Sequence, residues 1–420
     1  MIRTGRTTRW ERLRPARARA VSLALVATVV IAAVIGGVVD AGQGPSRGPS
    51  NAPHSLRSVT LPLQHDAAAS AHLDHPTFSP PPAWASQIIG GVGMPPLAFP
   101  TSSDGWFLGP GGLYHTTDGG ASWTLAAQGN DAGDAIFFVD PSNGWMTTAN
   151  DGILHTSDGG QSWDRLSGTG HGNDNNIVDL DFVSPTLGWA TTDLGQVFET
   201  RDAGTTWARL TAAPPATTHV CFSSVTSGWA ISGSGVARTA DGGATWATTL
   251  KAPLGTIRGD ATIACSGATV WALFDLGGPA GSVGSVFVLA VSTDAGLTWR
   301  NAIVSNDPGI SSVGPGFGPG SDATGWIASP GGHVVLADAF SPAASNLSPA
   351  VTTYVSTDAG QTFASSTVFD GLATVDGLTF TSASVGWIVV TPAGSSSAPT
   401  DFYETTDGGL DWVLAGSRQF

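Results

Sequence analysis

Helix-forming and basic side chains are scarce in this sequence. Only 12% of its 420 residues are charged, with a single lysine (Lys251) and three glutamates (Glu11, Glu199, Glu404). Cysteine occurs twice, whereas glycine occurs 56 times and tryptophan 15 times. A chain so poor in helix formers and so rich in glycine, threonine, valine and tryptophan is expected to be all-β.

The net charge of -15 is unevenly distributed. Residues 1–40 hold seven arginines against Glu11 and Asp40, a net of +5, which leaves -20 on the remaining 380 residues. An acidic body argues against nucleic acid, whose phosphates require a basic patch. It also argues against electrostatic docking on an anionic membrane surface. The acidity is expected to keep an exported protein soluble.

The N-terminal segment is typical of an export signal. An arginine-rich arm (1–20) precedes a nearly unbroken apolar run (21–39), which as a helix would span roughly 28 Å, close to the thickness of a bilayer core. We interpret this run as a retained transmembrane signal-anchor with the arm in the cytoplasm and the rest exported. Cleavage of a signal peptide followed by secretion is the alternative.

Residues 41–85 are predicted to be a linker, because proline, alanine, serine and glycine dominate and little apolar periodicity is present. Five side chains within it could hold a metal ion only transiently: His65, Asp66, His72, Asp74 and His75. A polar tether is the preferred interpretation, since nothing in the linker fixes their geometry. We therefore expect no metal site and no cofactor.

The organising motif is an eight-residue turn that reads Thr-Ser-Asp-Gly-Gly-Gln-Ser-Trp at residues 156–163. Seven such turns occur, with their aspartates at Asp118, Asp158, Asp202, Asp241, Asp294, Asp358 and Asp407. Aspartate can accept hydrogen bonds from the backbone of its own turn, and glycine permits positive φ angles. Because each feature serves folding, all seven aspartates are expected to be structural rather than catalytic.

A Gly-Trp pair precedes most of these turns. Its tryptophans are Trp106, Trp145, Trp189, Trp229, Trp326 and Trp387, and Val270-Trp271 takes its place once. The two landmarks together predict four short strands in each unit of about 40–50 residues, the size of a propeller blade. Seven blades close a ring without exposed sheet edges. Residues 94–416 are therefore predicted to form an all-β, seven-bladed β-propeller, which we expect to be monomeric.

The repeated turn is very similar to the Asp-box, or bacterial neuraminidase repeat, of sialidases and related β-propellers. The resemblance covers residues 94–416, and in this family the Asp-box joins the third and fourth strands of a blade. The Gly-Trp strand before a Thr-x-Asp-Gly-Gly-x-Ser-Trp turn looks most like the photosystem II assembly and stability factor type of propeller. That resemblance implies a non-enzymatic, extracytoplasmic assembly factor.

The enzymatic members of the superfamily imply residues that this chain lacks. The known sialidases use a Tyr nucleophile paired with a Glu, an Asp acid/base and three arginines. Tyr114, Tyr354 and Tyr403 fall at repeat positions on third strands, and no Arg-Ile-Pro element is present. A carbohydrate-active hydrolase with a pair of aspartates remains the alternative function, because a sequence does not give the separation between carboxyl groups.

The spacing from Gly-Trp to the aspartate is 12 or 13 residues in the first four blades, then 23, 32 and 20. The extra residues (274–285, 329–350 and 390–400) are predicted to join second and third strands, on the face opposite the Asp-boxes. The connection 168–176 shares that face, which we predict to bind a protein or glycan partner. Candidate residues are His171, Asn173, Asp174, Asn175, His333, Asp338 and Asn346. Tolerated surface insertions, with an extra strand at 333–336, are the alternative.

Two cysteines in an exported protein raise the question of a disulfide bond. Cys221 lies eight residues before Trp229, and Cys265 lies six before Trp271. Even offsets place both side chains on the same side of their own sheets, whereas adjacent blades pack opposite sides together. The sequence thus favours two buried thiols.

Overall fold

The computed structural model describes ten ranges of the chain: 89–90, 96–128, 132–148, 152–166, 176–253, 261–275, 287–304, 326–340, 350–393 and 399–419. Contacts divide the chain into residues 1–60 and 61–420, and every described residue belongs to the second unit. The expected arm (1–20), membrane span (21–39) and linker (41–85) lie outside the described residues. Among the residues described, no helix is both long and apolar enough to cross a membrane.

The described chain forms seven antiparallel sheets. A two-residue strand, β1 (Ile89–Gly90), comes first. Blade 1 contains β2 (Leu97–Ala98), β3 (Gly105–Gly109), β4 (Gly112–Thr116) and β5 (Thr124–Gln128). Blade 2 contains β6 (Ala132–Phe138), β7 (Gly144–Thr148), β8 (Gly152–Thr156) and β9 (Asp164–Leu166). Blade 3 contains β10 (Ile177–Phe182), β11 (Gly188–Thr192), β12 (Val197–Thr200) and β13 (Ala208–Arg209).

The remaining four sheets follow the same order. Blade 4 contains β14 (Thr217–Phe222), β15 (Gly228–Ser232), β16 (Gly235–Thr239) and β17 (Ala247–Lys251). Blade 5 contains β18 (Ala261–Ser266), β19 (Thr269–Asp275), β20 (Phe287–Ser292) and β21 (Arg300–Val304). Blade 6 contains β22 (Trp326–Ala328), β23 (Val334–Phe340), β24 (Ala350–Ser356) and β25 (Ala364–Asp370). Blade 7 contains β26 (Ala373–Phe380), β27 (Gly386–Pro392), β28 (Thr400–Thr405) and β29 (Val413–Arg418).

The first strands of the blades line the inside of the ring and close it, and in blade 6 β1 pairs with the inner edge of β22. They contact one another in the order β2, β6, β10, β14, β18, β22 and β26, and β26 returns to β2. Fourth strands such as β9 and β13 are largely exposed. Within the described residues, one apolar cluster lies between each pair of adjacent blades. The prediction of an all-β, seven-bladed propeller is confirmed.

The Gly-Trp pair has a steric basis in the first hairpin of a blade. Gly144 pairs with Phe138 across β7 and β6. A Cβ atom at Gly144 would lie 2.6 Å from the Phe138 ring, which is too close for any side chain. Glycine therefore makes room for the aromatic residue that ends the first strand, and the tryptophan beside it is free to reach the next blade.

Blade 6 departs from the prediction. Trp326, expected on the second strand, lies on the first strand, β22, and β1 pairs with the inner edge of that strand. The second-strand position is filled by β23, where Val334 pairs with Ser356 just as Gly188 pairs with Thr200 in blade 3. The Gly-Trp pair was a misleading landmark here because it also fits a first strand. No aromatic residue stands seven positions before Trp326, and that absence was the available signal.

The predicted insertion 329–350 is consequently wrong in part. Pro330–Gly332 is a short 3-10 helix in the turn between the first and second strands, and Val334–Phe340 is the second strand itself. Only residues 341–349 connect the second strand to the third. The other two predicted insertions, 274–285 and 390–400, overlap the connections 276–286 and 393–399 between second and third strands, and their ends lie within the flanking strands.

The cysteines form a disulfide bond, which corrects the expectation of two thiols. Cys221 on β14 and Cys265 on β18 are joined with an S–S distance of 2.04 Å. Cys221 pairs with Trp229, but Cys265 pairs with Val270 rather than Trp271. The turn between β14 and β15 spans 223–227, whereas the turn between β18 and β19 spans only 267–268. An odd and an even turn length reverse the side-chain alternation, so the two sulfurs can meet.

Candidate functional site

Each Asp-box is a closed hydrogen-bonded turn between the third and fourth strands. In the turn of blade 2, Asp158 Oδ1 accepts the Thr156 hydroxyl at 2.8 Å and the backbone N–H of Ser162 at 2.9 Å. Asp158 Oδ2 accepts the Ser162 hydroxyl at 2.6 Å. Thr156 Oγ1 in turn accepts the backbone N–H of Gly160 at 2.7 Å. Both carboxylate oxygens are therefore occupied by bonds within the turn.

The same bonds recur around the ring, with one omission. The hydroxyl that donates to Oδ2 belongs to Ser122, Ser162, Thr206, Thr245, Thr298 or Thr362 in six of the turns. In the seventh turn Asp411 takes that position and has no hydroxyl to donate, although its backbone N–H still reaches Asp407 at 3.0 Å. The Asp-box of blade 7 therefore lacks the hydroxyl bond to Oδ2 that the other six Asp-boxes have.

These bonds set the ionisation of the aspartates. The Thr245 hydroxyl, then the Thr245 backbone N–H and the Thr239 hydroxyl, lower the pKa of Asp241 to about 2. The pKa of Asp294 is likewise lowered to about 2, chiefly by the Thr298 hydroxyl. The pKa of every other Asp-box aspartate is also lowered. A carboxyl group that holds no proton near neutral pH is unsuited to act as a general acid.

The tryptophans of the second strands join each blade to the next. Trp145 stacks on Phe182 with ring centroids 3.6 Å apart, and its Nε1–H donates to the Ala203 carbonyl at 2.8 Å. Equivalent stacks join Trp189 to Phe222 and Trp387 to Phe99. The acceptor carbonyl belongs to the Asp-box of the following blade. The Gly-Trp pair and the Asp-box are thus two halves of one contact between blades.

The inner strands of blades 3 and 4 share a contact that does not follow the repeat. Asp179 and Asp181 project from β10, and both are buried, at 0% and 3% exposure. Asp179 Oδ2 accepts the backbone N–H of Val220 at 3.1 Å, and Asp181 Oδ2 accepts that of Phe222 at 2.5 Å. We call this arrangement, Asp179 and Asp181 with the backbone of Val220 and Phe222, the carboxyl seam.

Burial dominates the ionisation of the carboxyl seam. Burial raises the pKa of Asp179 to about 7, although the hydrogen bonds from the backbone N–H groups of Val220 and Leu180 lower it. It also raises the pKa of Asp181 well above its usual value, and the negative charge of Asp179 raises it further. The seam is therefore most stable when protons are bound.

Blades 4 and 5 are joined on the next pair of inner strands. His219 on β14 is buried, and its Nδ1 lies 2.9 Å from the Ala261 carbonyl of β18. Burial lowers the pKa of His219 to about 4, so the ring is neutral near pH 7. The Cys221–Cys265 bond crosses the same two strands. Three consecutive blades are thus connected at their inner strands by contacts that the repeat does not supply.

The two faces of the ring differ in regularity. On one face, the turns between third and fourth strands are 117–123, 157–163, 201–207, 240–246, 293–299, 357–363 and 406–412, all of one length. Turns between first and second strands share that face, since Gly119 donates to the Ser103 carbonyl at 2.9 Å. On the other face, connections between second and third strands range from 110–111 to 276–286. Connections between blades range from 371–372 to 305–325. We call these the Asp-box face and the loop face.

Two of the predicted binding residues, His333 and Asp338, fall within the described part of the chain. His171, Asn173, Asp174, Asn175 and Asn346 lie outside the described residues. His333 lies in the turn that follows Pro330–Gly332, on the Asp-box face, which corrects its predicted position. Asp338 lies within β23, where it pairs with Thr352. The reassignment of the strands in blade 6 accounts for both placements.

Sequence reasoning missed the carboxyl seam, although a signal was present. The stretch Ile177–Phe182 alternates Val178, Leu180 and Phe182 with Asp179 and Asp181. Carboxylates on alternate positions of an innermost strand point to one side of the sheet, and that side is buried between blades. Aspartates at alternate positions of an innermost strand therefore indicate an unusual contact between blades.

Taken together, these features define a seven-bladed β-propeller with an Asp-box in every blade. No model of a known protein family matches the sequence, and comparison with curated proteins gives no match.

Solved structures with similar folds include YCF48 from Cyanidioschyzon merolae, with a TM-score of 0.50 at 15% identity over 76% of this chain and 98% of that one. A structure of YCF48 bound to D1 peptide has a TM-score of 0.49 at 19% identity over 77% and 93% of the two chains. The GH74 xyloglucanase from Xanthomonas campestris has a TM-score of 0.47 at 13% identity, over 79% of this chain and 55% of that one. At 15% identity, the likeness to YCF48 from Cyanidioschyzon merolae shows the fold alone.

Proposed function

We propose that this protein is a non-enzymatic binding platform that recognises a partner protein through its loop face. The observation that carries the proposal is the contrast between the faces: seven turns of one length on the Asp-box face, and connections of very different lengths on the loop face. Recognition sites concentrate on variable loops that a rigid scaffold positions. The Asp-boxes then serve the scaffold and not the recognition.

A protein partner fits the described surface better than a glycan. Large apolar side chains that are exposed in the described part of the chain are all leucine or valine. Trp145, Trp189, Trp229, Trp271 and Trp387 are fully buried. Small-molecule and sugar sites are lined mainly by apolar and aromatic side chains around a few polar groups, and no aromatic face of that kind is exposed among the described residues.

We further propose that the propeller works outside the cytoplasm, held by residues 21–39. The disulfide bond supports export, because disulfides persist in oxidising compartments and are rare in the cytosol. Labelling of intact cells with a reagent that cannot cross the membrane should reach Lys251, which is exposed on the outer strand β17. Labelling that requires lysis would contradict this location.

The competing hydrolase function requires an accessible carboxyl group whose pKa lies near the working pH. Asp179 and Asp181 have raised pKa values but are buried. Glu404 is partly exposed, and burial raises its pKa, so it is the residue to test. Turnover of any member of a glycan panel, lost in the Glu404→Gln variant, would support the hydrolase and overturn the platform.

The proposed recognition is tested by shortening the loop face alone. Residues 341–349 and 394–398 would each be replaced by a short Gly-Ser turn in the full chain, which leaves every described strand of blades 6 and 7 intact. Partners would be crosslinked on intact cells and identified by mass spectrometry. The wild-type chain should capture a reproducible partner, and the shortened chain should lose it without a change in melting temperature.

A matched control addresses the opposite face. Leu297 is 64% exposed at the tip of the Asp-box of blade 5, so Leu297→Ser alters the Asp-box face and leaves every connection of the loop face unchanged. Capture should survive this change. Equal capture by the shortened and wild-type chains, or loss in the Leu297→Ser variant alone, would contradict recognition by the loop face.

A further inference from the structure

The carboxyl seam places two acids where no described base can neutralise them. Asp179 and Asp181 stand two residues apart on β10, so their side chains point to the same side of the strand. Each binds a backbone N–H of β14. Uncompensated charges in such a buried position are costly, and a group so placed takes up a proton instead.

The described side chains of the three strands that make the main contacts with β10 offer no cation. β10 contacts β11 of its own blade, β6 of blade 2 and β14 of blade 4. β11 has no titratable side chain, and β6 contributes Asp134, whose side chain lies outside the described part. β14 contributes His219, which bonds to Ala261 of blade 5. In the described surroundings of the seam, the carboxyl groups therefore depend on bound protons.

We propose that the carboxyl seam is a proton-controlled latch, which holds the inner strand of blade 4 against blade 3 while protons are bound and releases it as both carboxyl groups ionise. The exchange is of protons with solvent alone, and no bond other than O–H and the two hydrogen bonds is made or broken. Release loosens the inner edge of one junction of the ring. The Thr191 hydroxyl, which donates to the Thr218 carbonyl at 2.9 Å, and the stack of Trp189 on Phe222 still join blades 3 and 4 behind it, whereas His219 and Cys221 join β14 to blade 5.

The sign of the effect follows from the two states. In the open seam the carboxyl groups are solvated and ionise near the ordinary aspartate value of 3.8, whereas in the closed seam the pKa of Asp179 is about 7. Between these values closing takes up a proton, so low pH favours the closed seam. Below both values the closed seam gains nothing further from a fall in pH, and above both values its stabilisation by bound protons is lost.

The test is amide hydrogen exchange of the full chain between pH 5 and pH 7, with rates corrected for the intrinsic effect of pH. Protection of the segment 217–222 should fall about tenfold or more per pH unit, as expected for at least one carboxyl group that ionises on opening. The corresponding segment 373–380 of blade 7 should show no such fall. Protection of 217–222 that does not change with pH would overturn the latch.

Two variants separate the latch from a general effect of pH. Asp179→Asn with Asp181→Asn keeps oxygen acceptors for Val220 and Phe222 but cannot ionise, so its protection should be independent of pH. Asp376→Asn on β26 is the control, since Asp376 binds Thr391 within its own blade at 2.5 Å; it should retain the wild-type profile. If the double variant does not fold, Asp179→Asn alone must reduce the slope. A slope that persists in these variants would assign the titration to another group and overturn the proposal.

Discussion

Seven Asp-boxes on one face of the ring repeat the same hydrogen bonds, whereas the inner strands of blades 3 to 5 are joined by contacts that occur once each. In the Asp-boxes, each carboxylate is partly or fully exposed and binds donors two to four residues away. In the inner strands, buried carboxyl groups, a buried histidine and a disulfide bond connect residues more than 40 positions apart.

The difference teaches how one fold combines local and long-range stabilisation. An Asp-box forms from its own eight residues, so it can be copied along the chain and supports the ionised carboxylate. An inner contact exists only after two blades have met, and it favours the protonated acid because it excludes water. The two regions should therefore respond differently to mutation, to reduction and to pH.

The largest loss of stability is expected from a substitution between blades 3 and 4, because both the repeated contacts and the inner contacts join these two blades. Trp189→Ala removes the stack on Phe222 and the hydrogen bond to Gly242, and should lower the free energy of unfolding by about 3–5 kcal/mol. Urea denaturation measures the change. Val225→Ala, 58% exposed in the same pair of blades, is the control and should change stability by less than about 0.5 kcal/mol. Similar losses in both variants would mean that the repeated contact between blades contributes little.

Breaking the inner connection of blades 4 and 5 should have the next largest effect. Cys221→Ser with Cys265→Ser opens a covalent loop of 44 residues, and should lower the free energy of unfolding by about 2–4 kcal/mol. Calorimetry checks the size, and mass spectrometry after unfolding with and without reductant checks the bond itself. Because both cysteines are fully buried, reductant should leave the folded chain unaffected. Two thiols that alkylate after unfolding without reductant would contradict the bond.

Opposite responses to pH should distinguish the two regions. The pKa values of Asp241 and Asp294 are about 2 when folded; their stabilisation is present above about pH 4 and lost as pH falls towards 2. The pKa of Asp179 is about 7, so its protonated form stabilises the fold most below about pH 4 and progressively less up to pH 7. Between pH 5 and 7, stability should fall by about 1.4 kcal/mol per pH unit for each such carboxyl group.

Urea denaturation of the wild type and of Asp179→Asn at pH 5, 6 and 7 checks this response. The variant should show a shallower dependence on pH than the wild type. Parallel profiles would show that Asp179 does not bind a proton on folding.

The smallest effects come from single hydroxyl groups in the Asp-boxes. Ser162→Ala removes the donor to Asp158 Oδ2, and should lower the free energy of unfolding by about 1 kcal/mol. Asp411→Ser adds the missing donor to Asp407 in blade 7, and should raise the free energy of unfolding by about 1 kcal/mol. Thermal melts at one pH compare the pair directly. Changes of the same sign would contradict the role assigned to the hydroxyl.

Local chemistry explains how much of the fold could be predicted. The Asp-box turns and the number of blades follow from the repeated eight-residue stretch. Their place between third and fourth strands follows from the Gly-Trp pair before each turn and from the resemblance to Asp-box propellers. Prediction was weaker where the position of a strand within its blade depends on the strand that it pairs with. Trp326 reads as a second-strand residue but lies on a first strand, because a Gly-Trp pair alone does not say which strand of the hairpin carries it.

The inner contacts could not be predicted from spacing alone. Whether Cys221 and Cys265 meet depends on turn lengths of five and two residues, which reverse the alternation between adjacent blades. Asp179 and Asp181 find their donors 41 positions later, on a strand of another blade. Of the binding residues proposed on the loop face, His333 lies on the Asp-box face and Asp338 lies within β23. The others remain predictions.

The claim that recognition belongs to the loop face is tested most directly by site-specific photocrosslinking from two leucines. Leu194 lies in the connection between the second and third strands of blade 3 and is 60% exposed; Leu297 is 64% exposed on the Asp-box face. A photoreactive residue would replace each in turn in the full chain on intact cells. A partner protein that crosslinks from position 194 and not from position 297 is the expected result. Crosslinking of the same partner from position 297 alone would contradict the account.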